Sequence, residues 1–115
     1  MYRKVLFLFA FIFLTHLFCN AQINVQGSVK DLTTQEKIVF AHIAVQNASD
    51  TTEILYSAMT DMEGSYFIEN IPIGRYRFII SGIGYETLTT STRITMPSFG
   101  QVLTKNFDLK PSVTQ

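Results

Sequence analysis

The sequence predicts an all-β fold, a single seven-stranded Greek-key β-sandwich that follows a cleaved signal peptide. Three observations lead there. Apolar residues recur at period two in short runs, which puts them on one face of a strand. Clusters of Gly, Pro, Asn, Asp and Ser separate those runs at intervals of roughly 8–12 residues, as in sandwiches. Helical periodicity of useful length is absent after the first 21 residues.

Met1–Ala21 reads as a targeting segment. Arg3 and Lys4 give it a positive start, Val5–Phe18 is mostly Leu, Phe, Ile and Ala, and Ala21 suits cleavage before Gln22. The apolar run is shorter than the roughly 18 residues of a membrane span. A lipidated Cys19 is disfavoured by the bulky Phe18 before it. Cleavage would leave a 94-residue chain with no cysteine, stabilised by packing alone. It would carry seven basic residues against nine acidic ones, a net charge of −2.

The strands follow in order. Ile23, Val25, Gly27 and Val29 alternate with Asn24, Gln26, Ser28 and Lys30 as a half-buried strand, and Asp31–Glu36 is a polar loop. Ala41, Ile43 and Val45 set the inner face of the second strand. Asn47–Thr52 is a polar turn, and Ile54–Thr60 is the third strand. Asp61-Met62-Glu63-Gly64 reads as a turn that ends in Gly. Tyr66 and Ile68 belong to the fourth strand and Tyr76, Phe78 and Ile80 to the fifth. Between them Asn70–Gly74 breaks the extended run, because Pro72 cannot donate to a ladder and Gly74 can take positive φ. Gly74-x-Tyr76 reads as a tyrosine corner, with the ring inward and the hydroxyl bonded to backbone upstream. Ser81–Gly84 closes that unit before Tyr85. Thr87–Thr95 is a Thr-rich sixth strand, Met96–Gly100 a break, and Val102–Leu109 the seventh strand.

Inventory narrows the chemistry. His42 is the only histidine after the leader, too few for a triad or a His-rich metal site. Asp61 and Glu63 lack the six to eight oxygens that calcium takes, so Asp61 is expected to bond its own turn backbone. Arg75 and Arg77 alternate on one strand as a solvated face, and no basic cluster suits nucleic acid. No cofactor or metal is expected.

A set of motifs carries a family resemblance. Gly27-x-Val29-x-Asp31, Ala41-x-Ile43-x-Val45, Thr60-Asp61, Gly64 followed by Tyr66, Ile71-Pro72-x-Gly74-x-Tyr76 and Gly82-Ile83-Gly84-Tyr85-Glu86 stand in order. Together they resemble the carboxypeptidase-regulatory-like domain, a prealbumin-type, immunoglobulin-like sandwich found at the N-termini of many outer-membrane receptors. The resemblance implies domain bounds of 22–110, with 111–115 as the start of a linker. It implies structural roles for Asp61, Gly64, Tyr66, Pro72, Gly74, Tyr76, Gly84 and Tyr85. A prealbumin-like hydrolase of purine catabolism shares the topology, but the multiple histidines and C-terminal tetrapeptide on which it relies are not in this sequence.

The function implied is that of a non-catalytic periplasmic accessory domain of a TonB-dependent receptor or related barrel protein, serving nutrient uptake. The expected partner is the receptor's plug or barrel, or the energy-coupling apparatus, and the chain is expected to be a fragment of that longer protein. The alternative is a free periplasmic or surface module that binds carbohydrate or a partner protein. Without Trp, it would have only Tyr56, Tyr85 and Phe99 as aromatic platforms.

Overall fold

The computed structural model describes residues 22–97 and 100–112. The expected leader and Phe99 lie outside those residues. Eight strands form: β1 (Gln22–Asp31), β2 (His42–Asn47), β3 (Ile54–Met59), β4 (Ser65–Pro72), β5 (Gly74–Ser81), β6 (Leu88–Ile94), β7 (Val102–Thr104) and β8 (Phe107–Leu109). They make two sheets. In the first, β1 is central, antiparallel to β4 on one side and parallel to β7 and then β8 on the other. The second runs β3-β2-β5-β6, antiparallel throughout.

The strand count is one more than the alternation implies, because Val102–Leu109 splits in two. Register is kept across the break, with Gln26 opposite Thr104 and Val29 opposite Phe107. The backbone at Lys105-Asn106 leans in towards β1. A Cβ on Gly27 would lie 1.8 Å from the Lys105 carbonyl oxygen, so that oxygen fills the space a side chain would need. Lys105 N–H donates to the Gln26 carbonyl (2.8 Å), and Ser28 N–H donates to Asn106 Oδ1 (3.0 Å). Gly27 therefore sits on the inward row as expected, yet it receives backbone rather than core side chains.

The expected break at Asn70–Gly74 is also of another kind. Ile23 pairs with Ile71 and Val25 with Ile68, so β4 holds one extra residue there, a β-bulge. The left-handed backbone falls on Asn70 (φ 57°), not on Gly74, and Asn70 N–H donates to Asn24 Oδ1 (3.1 Å). Asn tolerates that conformation better than most residues. The strand then runs on to Pro72, an edge position where a missing N–H costs no ladder bond.

The core lies between the sheets. The first contributes Ile23, Val25, Val29, Tyr66, Ile68, Ile71, Phe107 and Leu109. The second contributes Ile43, Val45, Tyr76, Phe78, Ile80 and Ile94, and Ile38 and Ala41 close one side. Phe107 joins the layers, its ring centroid 5.8 Å from Phe78 and 6.1 Å from Tyr66. Such tilted pairs lie in the favourable range for aromatic contact. Asp31, read as the start of a polar loop, is instead the last residue of β1 and is buried.

Candidate functional site

Most polar side chains in the interior serve the framework. The Tyr76 ring is buried and its hydroxyl donates to the Pro72 carbonyl (2.7 Å), the corner geometry that Gly74-x-Tyr76 predicts. Gly74 is where that ring passes: a Cβ there would lie 3.7–3.8 Å from it. Burial, with a lesser electrostatic contribution from nearby Tyr56, pushes the Tyr76 hydroxyl up from its ordinary pKa. Tyr66 reaches across the first sheet to donate to the Lys105 carbonyl (2.5 Å), and burial raises its pKa strongly. This bond holds the inward lean beside Gly27.

Asp61 behaves as expected. Its Oδ1 accepts from the Glu63 and Ser65 N–H groups at 2.9 and 3.0 Å, while Gly64 (φ 72°) donates back to the Asp61 carbonyl. Glu63 pairs with Lys37 (3.1 Å) on the surface. Among the described residues, no three His, Cys, Asp or Glu side chains come together as a metal site would require. His42 lies exposed on β2, opposite Met59 and Ser81.

Two framework residues escaped the sequence reading. Asp31 Oδ1 accepts from Thr33 N–H (2.7 Å) and Thr34 N–H (3.1 Å), and Oδ2 accepts the Tyr85 hydroxyl (2.8 Å). The Thr34 N–H leads in holding the Asp31 carboxyl below its ordinary pKa; desolvation opposes it, and the Tyr85 hydroxyl and Thr33 N–H support it. The same bond to Asp31 leads in raising Tyr85. Gly84 (φ 88°) precedes Tyr85 and lets the chain turn; its carbonyl accepts from Ser112 N–H (3.0 Å). Pro111 pairs with Tyr85, so the expected linker is tied to the sandwich as far as Ser112. Thr60, buried to 1%, accepts from Ala41 N–H and donates to the Ile38 carbonyl, both at 2.7 Å. Both residues stand in the motif set, but the bonds that tie them to other strands and loops reach partners 19–54 positions away.

Two of the aromatic platforms expected from sequence lie among the described residues, and both are engaged by the sandwich. Tyr56 packs half-buried against the core, and Tyr85 has its hydroxyl engaged by Asp31. Phe67 takes that place instead. It is 48% exposed in an open cleft of about 590 Å³ over β4, β1 and β7, with Met59 at the end of β3 on its rim. Met59, Asp61, Ser65, Gln26, Ser28 and Thr104 also line the cleft. An apolar ring beside amide and hydroxyl groups can stack on a ring face, or receive an apolar side chain while the rim makes hydrogen bonds.

Two packed sheets, a tyrosine corner and a polar interior spent largely on backbone contacts define a small all-β sandwich. Residues 24–110 match the carboxypeptidase regulatory-like domain, and the chain belongs to that family. It is 26% identical over 92 residues to carboxypeptidase E of Caenorhabditis elegans, a match that covers 80% of this chain and 19% of that protein. Among solved structures it is similar to BcpA, the major pilin subunit of Bacillus cereus (TM-score 0.63, 15% identity, 80% of this chain and 31% of that one). It is also similar to the pilus 2b backbone protein of group B streptococcus (0.60, 14%, 78% and 41%). Catechol 1,2-dioxygenase of Acinetobacter radioresistens shares the fold as well (0.62, 14%, 82% and 53%). The chain thus spans about a fifth of its curated relative and a third to a half of these structures.

Proposed function

We propose that this chain is a non-catalytic accessory domain that works by protein contact, exported to the periplasm and attached to a TonB-dependent receptor or related outer-membrane barrel. Membership of a regulatory-like family supports the non-catalytic part. The cleft over β4 and β1 carries the contact part: Met59 is 57% and Phe67 48% exposed, and both belong to edge strands, β3 and β4. Exposed apolar side chains with unpaired backbone groups are what a partner's extended segment uses. The partner is the receptor's plug or barrel or its energy-coupling apparatus.

The test is cross-linking in cells followed by fractionation. The chain should co-isolate with an outer-membrane barrel protein, and Met59→Ser with Phe67→Ser should remove that product without unfolding the domain. A soluble periplasmic product that cross-links to no membrane protein sinks the proposal. Phe67 beside Gln26, Ser28 and Thr104 also favours a second reading, a module that stacks a sugar ring on Phe67. Glycan-array binding that Phe67→Ser abolishes would promote it.

A further inference from the structure

We infer that the outward face of the second sheet carries an oxyanion site built on Arg75 and Arg93, with phosphate-type groups as its ligand class. Tyr76, Phe78 and Ile80 are buried, so Arg75 and Arg77 point the other way. On β6, Ile94 is buried and Thr90 and Thr92 are half-buried, which turns Ser91 and Arg93 outward. The register then sets Arg75 directly opposite Arg93, and Arg77 opposite Ser91.

Like charges in directly opposed cross-strand positions destabilise a sheet, and among the described residues no carboxylate pairs with either of them. The outward positions of β2 (His42, Ala44, Gln46) and of β3 (Leu55, Ser57, Met59) hold no carboxylate. Asp50 and Glu53 lie on the connecting loop. Asp50 Oδ1 accepts from the Thr52 N–H and hydroxyl (3.1 and 2.6 Å), and among the described residues the ion pair present is Lys37–Glu63, with none to Arg75, Arg77 or Arg93. Arg77 Nε is the one buried side-chain polar atom without a partner among the described residues. Three guanidinium groups thus gather, unmatched, on a chain whose acidic residues outnumber its basic ones once residues 1–21 are set aside.

Arg75 and Arg93 line a depression of about 330 Å³ with Ala48, Ser91 and Thr92. Guanidinium forks match tetrahedral oxyanions in a bidentate way, and Ser91 adds a hydroxyl donor. A dianion between Arg75 and Arg93 turns a repulsive pair into a bridged one. Because β2 and β3 extend the face with no further Lys or Arg, it fits one multiply charged group rather than a run of carboxylates.

Thermal unfolding against inorganic phosphate at constant ionic strength tests this. Phosphate at five times its Kd should raise Tm by about 4–8 °C, where chloride does not. Arg75→Gln and Arg93→Gln should each abolish that rise, and Lys110→Gln should keep it. Without phosphate, Arg93→Gln should melt no lower than wild type, because it removes the repulsion. A full phosphate response in Arg93→Gln overturns the inference. So does stabilisation by a Glu-rich peptide with no response to phosphate, which would assign the face to an acidic segment.

Discussion

Gly27→Ala is the sharpest probe of how the first sheet is built. Gly27 does not have positive φ, so strand propensity alone predicts that Ala would stabilise by about 0.5–1 kcal/mol. The packing predicts the reverse. The new methyl would lie 1.8 Å from the Lys105 oxygen and 2.6 Å from its carbon, and ordinary contact begins at 3.4 Å. The backbone at Lys105 must therefore retreat by roughly 1.6 Å. That retreat strains or breaks three bonds: Tyr66 hydroxyl to Lys105 carbonyl, Lys105 N–H to Gln26 carbonyl, and Ser28 N–H to Asn106 Oδ1. At about 0.5–1.5 kcal/mol each they total about 1.5–4.5 kcal/mol, and unrelieved overpacking costs about 1–3. Relaxation exchanges one loss for the other, so a net destabilisation of about 1–4 kcal/mol is expected. Urea unfolding should show it as a lower midpoint at unchanged m-value. Gly74→Ala is the control: its Cβ meets only the Tyr76 ring at 3.7–3.8 Å, and stability should be unchanged or slightly raised. A Gly27→Ala protein as stable as wild type would refute the account of the β7–β8 break.

Three further outcomes are expected. Tyr76→Phe should lose about 0.5–1.5 kcal/mol through the bond to Pro72 and Tyr76→Ala about 3–5, an order chemical denaturation reads directly. Thr60→Val leaves Ala41 N–H and the Ile38 carbonyl buried without a partner, at about 1–3 kcal/mol each, and the Ala41 amide should exchange faster with deuterium. The Asp31 carboxyl titrates below its ordinary 3.8 when folded, so its contribution is fully present above pH 3.8 and is lost as pH falls through the folded value. Asp31→Asn should therefore flatten the acid limb of a Tm–pH profile below about pH 4 and leave the shape above it unchanged.

What the sequence disclosed was what is local. Period-two alternation placed Ile23, Val25, Val29, Ile43, Val45, Phe78 and Ile80 inward, and all are buried. The tyrosine corner was legible because Tyr76 and Pro72 lie four residues apart. Asp61 was legible because its acceptors' donors are two and four residues on. The Asp31–Tyr85 bond spans 54 residues, and no local pattern announces it. The β7–β8 break was hidden for a related reason: Val102–Leu109 holds neither Gly nor Pro, and the residue that permits the lean is Gly27, on another strand. At the β4 bulge, Gly74 drew attention as the flexible residue, while the register placed the left-handed turn on Asn70. Phe67 was passed over because it occupies the outward phase of a strand whose inward phase, Tyr66 and Ile68, looked complete.

The parallel pairing of β1 with β7 and β8 has a mechanical consequence. Gln22 begins one of these neighbours and Leu109 ends the other, so tension applied through the two ends of the fold draws β1 and β8 past each other along their length. The ladders at Asn24–Gln26 and Val29–Asp31 are then loaded together, in shear, instead of opening one bond at a time. The Tyr66 hydroxyl and the close fit of Lys105 over Gly27 lie midway along that line and resist the same sliding. Held between Gln22 and Ser112 in a force-spectroscopy experiment, the domain should rupture at markedly higher force than when held between Gln22 and Thr60. Built this way, the domain resists tension along β1 and β8.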